Sequence, residues 1–240
     1  MRIHIAPVGF EIDRIVLPAK KRKADKVWLL VHENRSEDKA RPFVEKIQKQ
    51  LKKANIEVEI EYHDRLDLFK IIKSVKEIIE KEKGNNIYVN LASGSKIQAI
   101  GSMMACMMFN TEKTVHPFYA EAKEYLGFKG QISSGIKDIK DIPPYEIQIP
   151  DQKHIQALQI IKENGGKITK KEMAKLSEKN GLISVNAEEN NYSQARFASL
   201  DKNIIQPLLE KWKFIKVEKV GRNRWIEITE EGKNAAEFLI

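Results

Sequence analysis

The first 120 residues alternate short strand-like segments with longer segments of helical period, and this alternation limits the fold more than any other feature. Five segments have the composition or period of β-strands: residues 2–8, 26–31, 56–63, 87–92 and 114–120. Three segments between them carry apolar residues at the spacing of amphipathic helices: residues 36–55, 67–83 and 96–109. Strands that alternate with helices predict parallel βαβ units. The predicted fold class is therefore α/β, with a Rossmann-like open parallel sheet covered on both faces.

The pattern changes after about residue 136, where the segment IKDIKDIPPYEIQIPD contains three of the chain's eight prolines. We place a boundary in this segment and predict two domains, residues 1–142 and 143–240. In the second domain, Asp151, Thr169 and Ser193 are predicted to cap three successive helices. Pro207 is expected to kink or end the third of them.

Two strands, WKFIKVEKV and RWIEIT, then surround the turn GRN, and Thr229 caps a last helix. Three helices, a hairpin and a closing helix predict a C-terminal winged helix-turn-helix domain.

Charge and composition limit the classes of partner and the location that the protein can have. The net charge of +8 and pI of about 9.3 favour an acidic partner such as nucleic acid or a nucleotide. The single cysteine, Cys106, cannot form a disulfide within the chain, and the N-terminus lacks the pattern of a signal peptide. No apolar stretch is long enough to cross a membrane. We therefore expect a cytoplasmic protein without a membrane partner.

The five histidines have no metal-ligand spacing, so no metal site is expected.

The candidate ligand site lies where the strand order is expected to reverse. With the order 3-2-1-4-5, this point lies between the first and fourth strands, at their carboxyl ends. Two loops leave the sheet there, and their residues are the predicted ligand contacts: Pro7, Val8, Gly9 and Phe10 in one, and Ser93, Gly94, Ser95 and Lys96 in the other.

Ser95 and Gln98 have capping-box spacing and place a helix N-terminus at this site, where free amides attract phosphate. Lys96 adds a positive charge. The alternative is that Ser95 only caps a buried helix and Gly94 only makes the turn. Asn34 or Arg35, after the second strand, could also reach a ligand, and His32 and His63 could border it.

Several enzyme classes lack support in the sequence. The loop at 93–96 is not a GxxxxGK[ST] phosphate loop, and Gly9 does not belong to a GxGxxG fingerprint. No GxSxG nucleophile motif occurs, and Cys106 lies in apolar surroundings. We therefore expect no catalytic residues and no cofactor.

The second domain carries candidate DNA contacts on its third helix and its hairpin. On the helix, Arg196, Ser199 and Asn203 share one face and have side chains suited to base edges, while Ser193 and Gln194 can contact phosphates. The hairpin has six basic residues and one acidic residue between 211 and 224. Its expected DNA contacts are Lys219, Arg222, Asn223 and Arg224. A solvated helix face and a charged, solubilising hairpin are the alternatives.

The segments MRIHIAPVGFEIDRI and NLASGSKIQAIGSMMA carry a family resemblance. The chain resembles archaeal regulators that join a CRISPR-associated Rossmann-fold (CARF) domain to a winged helix-turn-helix. The fourth-strand loop of that family has the form Asn-x-[Thr/Ser]-Gly-[Gly/Ser]-[Thr/Ser/Lys], and the matching positions here are Asn90, Ser93, Gly94, Ser95 and Lys96. The resemblance implies a homodimer that binds a ligand, commonly a cyclic oligoadenylate, across its two-fold axis.

The expected function is a ligand-responsive transcriptional regulator that binds double-stranded DNA and senses a nucleotide-type ligand. A ring nuclease that cleaves cyclic oligoadenylate is one alternative, with Ser95 and Lys96 positioning a ribose 2′-hydroxyl and stabilising the developing charge. A purely structural DNA-binding dimer with a vestigial pocket is another.

Overall fold

The computed structural model describes residues 1–34, 36–127 and 130–240, and its contacts divide the chain into two units, Met1–Gln148 and Ile149–Ile240. The division falls six residues beyond the expected boundary at 142. Residues 143–148 stay with the first unit because hydrogen bonds of Ile142 and Ile147 anchor this part of the chain to β5 and α4. The amide of Ile142 donates to the carbonyl of Pro117 (2.9 Å), and that of Ile147 donates to the carbonyl of Met107 (3.0 Å).

The first unit is a six-stranded sheet with helices between its strands. The strands are β1 (Arg2–Pro7), β2 (Lys26–His32), β3 (Glu57–His63), β4 (Asn86–Asn90), β5 (Val115–Tyr125) and β6 (Ser133–Asp141). The helices are α1 (Asp13–Lys21), α2 (Arg41–Lys52), α3 (Leu68–Lys81) and α4 (Lys96–Phe109). The strand order is β3-β2-β1-β4-β5-β6; the first five strands are parallel, and β6 is antiparallel to β5. The predicted fold class, α/β with a Rossmann-like, mostly parallel sheet followed by a winged helix domain, is confirmed.

Strand alternation places apolar side chains on both faces of this sheet. On one face, Ala6 and Val8 pack with Val16 of α1 and Ile47 of α2. The helices α3 and α4 pack closely together, because a Cβ atom added at Gly101 would lie 2.8 Å from Cγ2 of Ile71. The strands β1, β2 and β4 are mostly buried, as expected for parallel strands covered on both faces, whereas the edge strand β3 is half-exposed.

The strand β6 was absent from the sequence-based expectation, which treated this part of the chain as the approach to a linker. Its residues pair with β5 from Tyr125↔Ser133 to Phe118↔Asp141, with a register shift at Glu121/Ala122. Its pattern SSGIKDIKD gives few buried positions, which explains why periodicity did not reveal a strand.

The second unit has the winged-helix element order. Its elements are α5 (Gln152–Glu163), β7 (Lys167–Thr169), α6 (Lys170–Lys179), α7 (Tyr192–Leu200), β8 (Ile215–Val220), β9 (Asn223–Ile228) and α8 (Glu230–Leu239). The strands form an antiparallel sheet in the order β7-β9-β8. The predicted caps Asp151, Thr169 and Thr229 each accept a backbone amide hydrogen bond. Ser193 does not cap α7, which begins at Tyr192 after a 3₁₀ turn, Glu189–Asn191.

Pro207 does not end the third helix. The helix continues from α7 through two π-helical stretches, Asp201–Ile205 and Pro207–Lys211. In the first stretch, directly before Pro207, the amide of Gln206 donates to the carbonyl of Asp201, five residues earlier. A wider turn accommodates the proline ring, which in an α-helix would clash with the carbonyl four residues before it.

Candidate functional site

The loops after β1 and β4 touch each other at the carboxyl edge of the sheet. A Cβ atom added at Gly9 would lie 3.1 Å from Cα of Gly94. Gly94 has a φ of +77°, and a Cβ atom there would lie 2.5 Å from Cβ of Pro7. The structure therefore brings together the two loops that the strand order singled out, and their contact requires that Gly94 lack a side chain. Ligand binding by these loops stays a prediction.

The start of α4 offers free hydrogen-bond donors beside this contact. The predicted capping box is confirmed: Oγ of Ser95 accepts from the amide of Gln98 (3.2 Å), and Oε1 of Gln98 accepts from the amide of Ser95 (2.9 Å). Within the described residues, the amides of Lys96 and Ile97 donate no hydrogen bond. The buried hydroxyl of Ser93 also has no partner there. These groups and the helix dipole favour an anion at this end of α4.

Lys96 supplies the positive charge that the sequence predicted. Its side chain is exposed and makes no ion pair with any described residue. Two other cations at this edge are engaged, because Arg65 pairs with the buried Asp38 (3.0 Å) and Lys70 lies 3.8 Å from Glu33. Lys96 is therefore, within the described residues, a cation at this edge that is free to meet an anionic ligand.

His63 lies behind the loop rather than in contact with solvent. Its Nε2 is 3.2 Å from Nε2 of the fully buried Gln98, and its carbonyl is 3.3 Å from Nδ1 of His32. Burial, with a smaller contribution from His32, lowers the pKa of His63 to about 4. A neutral His63 accepts from the Gln98 amide group and thereby ties the end of β3 to the capping box of α4.

Several predicted contact residues belong to the framework of the loops. Both polar groups of the buried Asn90 are used internally: Nδ2 donates to the carbonyl of Arg14 (2.8 Å), and Oδ1 accepts from the amide of Ala92 (2.8 Å). Pro7 and Val8 are buried, and the amide of Val8 donates to Leu30 (2.9 Å). These residues hold the loops in place.

Other predicted contacts are exposed. Phe10 is 36% exposed and packs edge-on against Phe43 at 5.5 Å between ring centroids. Asn34 is exposed, and its Oδ1 accepts from the amide (3.2 Å) and the hydroxyl (2.7 Å) of Ser36. Arg35 lies outside the described residues. Phe10, Asn34 and Lys96 are thus the predicted residues whose side chains reach the surface.

The structure adds a buried charge network that the sequence interpretation missed. Arg14 is 5% exposed, donates from Nε to the carbonyl of Ala120 (2.8 Å), and pairs with Glu11 at 3.3 Å. Glu11 also accepts a hydrogen bond from Ser133 of β6. The Nη2 atom of Arg14 has no partner among the described residues. The spacing of Glu11 and Arg14 was a usable signal, but the part played by Ser133 required knowledge of β6.

This network fastens the β5–β6 hairpin to the loop after β1. The amide of Ile132 donates to the carbonyl of Phe10 (3.1 Å), and that of Gly135 donates to the carboxylate of Asp13 (2.8 Å). Residues of the candidate ligand loop are therefore bonded directly to the hairpin.

In the second unit, the predicted base-contacting residues of α7 are half-buried and bonded to other residues of the unit. Nη1 of Arg196 lies 3.3 Å from Glu178, which also accepts from the hydroxyl of Tyr192. Oγ of Ser199 donates to the carbonyl of Ser184 (3.1 Å), and Nδ2 of Asn203 donates to the carbonyl of Ser199 (2.9 Å). Arg196, Ser199 and Asn203 thus share a half-buried face with hydrogen bonds inside the unit, and their contact with DNA stays a prediction.

A different row of side chains faces outward from this helix. Its members are four residues apart and exposed: Gln194, Ala198, Lys202 and Gln206. Ser193 is exposed as well, so the two predicted phosphate contacts, Ser193 and Gln194, remain at the surface.

The hairpin of β8 and β9 is the wing of the winged helix domain, and it has the predicted form. The strands β8 and β9 pair from Ile215↔Ile228 to Val220↔Asn223, and Gly221 turns the chain with a φ of +61°. Lys219, Arg222, Asn223 and Arg224 are all exposed. The cations among them, Lys219, Arg222 and Arg224, form no ion pair with described residues, whereas Lys216 lies 3.3 Å from Glu227.

No group of three or more His, Cys, Asp or Glu side chains is arranged to hold a metal ion in residues 1–34, 36–127 and 130–240. In the same part of the chain, no helix is long and apolar enough to cross a membrane.

Family models match both units. Residues 2–125, more than half of the chain, match the model described as HFX_2341_N-like, N-terminal. The chain belongs to the HFX_2341_N-like family. Residues 153–240 match the DUF6293 C-terminal winged helix domain, in agreement with the element order of the second unit. The winged helix domain that the sequence predicted is thereby confirmed.

The similarity to individual proteins is lower. MJ1513, an uncharacterised protein of Methanocaldococcus jannaschii, is 24% identical and covers 99% of this chain and 96% of its own length. The structure of Can2 from Sulfobacillus thermosulfidooxidans with cyclic tetra-adenylate has a TM-score of 0.43 at 14% identity; the match covers all of this chain but 63% of Can2. Enterococcus italicus Csm6, bound to cyclic hexa-2′-fluoro-hexa-dAMP, has a TM-score of 0.40 at 14% identity, covering 51% of this chain and 34% of Csm6. This chain thus spans less than two thirds of either solved chain.

Proposed function

We propose that this protein is a homodimeric DNA-binding transcriptional regulator that senses a nucleotide-type ligand in its first unit. The winged helix domain supports the DNA-binding part of the proposal. The meeting of two loops beside a helix N-terminus supports the ligand-binding part.

The observation that carries the DNA-binding proposal is the set of unpaired cations on the wing. Lys219, Arg222 and Arg224 are exposed, and no acidic side chain among the described residues competes for them. Such cations can neutralise phosphates and release counterions without first breaking an ion pair. The wing is therefore suited to the phosphate backbone of double-stranded DNA.

The outward row on α7 supplies the other proposed contact. Glutamine side chains suit the donor and acceptor pattern of adenine in the major groove, and lysine suits guanine or phosphate. Gln194, Lys202 and Gln206 are exposed on one side of the helix, so we assign base contacts to this row. Arg196 instead stabilises the domain through Glu178.

Substitution of the wing arginines tests the DNA-binding proposal. The double variant Arg222→Ala/Arg224→Ala is expected to bind random-sequence and selected duplexes more weakly. The plot of log affinity against log salt should become less steep, its negative slope losing about two in magnitude, because about one counterion is released per phosphate contact.

A matched control removes two lysines of the same domain that already have acidic partners. Lys162 lies 3.5 Å from Glu237, and Lys233 lies 3.2 Å from Glu230. The variant Lys162→Ala/Lys233→Ala should keep the salt slope of the unmodified protein. Equal affinity and slope for the wing variant and this control would contradict the assignment.

The ligand-binding proposal follows from the donors at the start of α4. The amides of Lys96 and Ile97, the hydroxyl of Ser93 and the ammonium group of Lys96 can all serve an anion. Phosphates of a nucleotide fit this set. Cyclic oligoadenylate is the ligand class implied by the resemblance, and cyclic tetra-adenylate is a suitable probe.

A ring nuclease is the competing proposal for the same loops, with Ser95 and Lys96 acting on a ribose 2′-hydroxyl. The hydroxyl of Ser95 already accepts the Gln98 amide, which favours a structural role for this side chain. Incubation with labelled cyclic tetra-adenylate separates the proposals: intact, retained ligand supports a sensor, and linear products support an enzyme.

We assign dimerisation to the exposed side of α4. Ile100 is 56% exposed, and Met103, Met104, Met107 and Met108 are half-buried, so an apolar face reaches the surface. A second copy of the chain would cover this face beside the ligand loops. Sedimentation analysis should give twice the chain mass of 27.7 kDa, and a mass of one chain at micromolar concentration would contradict the dimer.

A further inference from the structure

A second candidate site lies at the opposite edge of the sheet from Gly9 and Gly94. A cavity of about 510 Å³ lies against Tyr88 of β4 and His116 of β5, towards the amino ends of these parallel strands. Its remaining walls include Arg22, at the end of α1, and the segment that follows β6. The volume is within the range of about 300–1,000 Å³ that is usual for small-molecule sites.

Arg22 is held in a fixed position in this cavity by aromatic rings. Its guanidinium carbon lies 5.1 Å from the ring centroid of Tyr88 and 4.9 Å from that of Phe118. One guanidinium nitrogen lies 2.6 Å from Oδ1 of Asp141. The side chain of Arg22 is 18% exposed and that of Asp141 is 71% exposed, so the acidic partner is the more accessible one.

The floor of the cavity carries polar groups without partners. The rings of Tyr88 and His116 are tilted by 32°, with centroids 5.3 Å apart. Among the described residues, neither the hydroxyl of Tyr88 nor the ring nitrogens of His116 form a hydrogen bond. The floor is thus aromatic, half-buried and able to bond to a ligand at its edges.

We infer that this cavity binds an aromatic α-amino acid. The ligand carboxylate meets the guanidinium of Arg22, and its ammonium group meets the carboxylate of Asp141. Each charge of the present ion pair therefore gains a partner of opposite sign when the ligand enters, and no charge is left alone. The aromatic side chain packs on Tyr88 and His116 and against Pro143 and Pro144.

Asp141 places this site next to the segment that leads to the second unit. Asp141 is the last residue of β6, and the chain runs from it through Ile142 to the second unit, which begins at Ile149. Between the anchors at Ile142 and Ile147, this segment forms a wall of the cavity. A ligand on Asp141 would touch the segment that joins the two units, independently of any nucleotide at Gly94.

Calorimetric titration of the full chain tests the inference with L-phenylalanine as the probe. Two analogues each lack one charge: phenethylamine has no carboxylate, and 3-phenylpropionate has no ammonium group. We expect a Kd for phenylalanine below about 1 mM and at least about tenfold weaker binding of both analogues. Binding of the three compounds with equal affinity, or no binding of phenylalanine, would overturn the proposal.

The variant Asp141→Asn separates the charge contact from mere burial of an aromatic ring. It should weaken phenylalanine binding by about tenfold while leaving 3-phenylpropionate binding unchanged or stronger. Asp138→Asn, at an exposed position of the same strand, is the control and should leave all three affinities unchanged. Unchanged phenylalanine affinity in Asp141→Asn would sink the proposal even if the protein binds this amino acid.

Discussion

At the scale of single residues, two separate features of Gly94 exclude a side chain at this position. Its φ of +77° is in the left-handed region, and an added Cβ atom would lie 2.5 Å from Pro7. Gly84 has a similar φ of +82° but nothing within 4 Å of an added Cβ atom. Substitutions at Gly84 and Gly94 therefore separate the energetic cost of a side chain at positive φ from the cost of its overlap with Pro7.

The variant Gly94→Ala is expected to lose about 1–3 kcal/mol more unfolding free energy than Gly84→Ala, because both carry the backbone strain and only the first adds overlap with Pro7. Urea unfolding of the two variants measures the difference. Equal losses would show that the loops can separate freely, in conflict with a rigid site.

His63 makes stability depend on pH. Its folded pKa of about 4 lies below its ordinary value of 6.5 because burial disfavours the charged ring. The stabilisation is fully present above pH 6.5 and is lost as pH falls toward 4, since the unfolded chain takes up the proton first. The predicted loss is up to about 3 kcal/mol.

Urea unfolding between pH 7.5 and 4.5 checks this dependence in the unmodified protein and in His63→Gln. The variant should lose part of the pH dependence, while it keeps the contribution of His4, whose pKa burial also lowers, to about 3. Parallel stability curves for the two proteins would contradict the role of His63.

Local rules predicted the hydrogen-bond partners of some candidate residues but not of others. The capping box of Ser95 and Gln98 involves residues three positions apart, so the sequence was sufficient. Arg196 has its partner Glu178 on another helix, 18 residues earlier. Helical period gives the spacing around α7, but the inward side depends on which helix packs against it.

At the scale of elements, the β5–β6 hairpin shows where periodicity is insufficient. The strands β2 and β4 are nearly continuous apolar runs and were predicted, whereas β6 is a half-exposed edge strand defined by its pairing with β5. The hairpin also holds the loop after β1 through Glu11 and Ser133. Strand pairing between distant segments, which local composition does not encode, therefore completes the candidate site.

The ion pair of Glu11 and Arg14 should stabilise this junction strongly, because both side chains are buried, with exposures of 9% and 7%. Replacement of Glu11 by Gln leaves the guanidinium without its counter-charge and should lower the unfolding free energy by about 3 kcal/mol. The control is Glu121→Gln on the same hairpin, whose pairs with Lys137 and Lys140 are at the surface. That change should have a much smaller effect; similar losses in urea unfolding would refute the anchoring role.

At the scale of the whole molecule, two units with different tasks follow one another in the chain. The first brings two loops and a helix N-terminus together, and the second presents an unpaired cationic wing. The alternation of strands and helices was enough to predict the first fold class, and the order of helices and hairpin was enough for the second. The residues that face a partner required the three-dimensional packing.

We propose that ligand binding in the first unit changes the DNA affinity of the second unit. The most direct test is the affinity of the full chain for a duplex selected from a random library, measured with and without saturating cyclic tetra-adenylate at fixed salt. We expect the DNA affinity to change by at least about fivefold, the usual lower range of coupling between two sites. Identical DNA affinity, with bound cyclic tetra-adenylate demonstrated in the same sample, would contradict it.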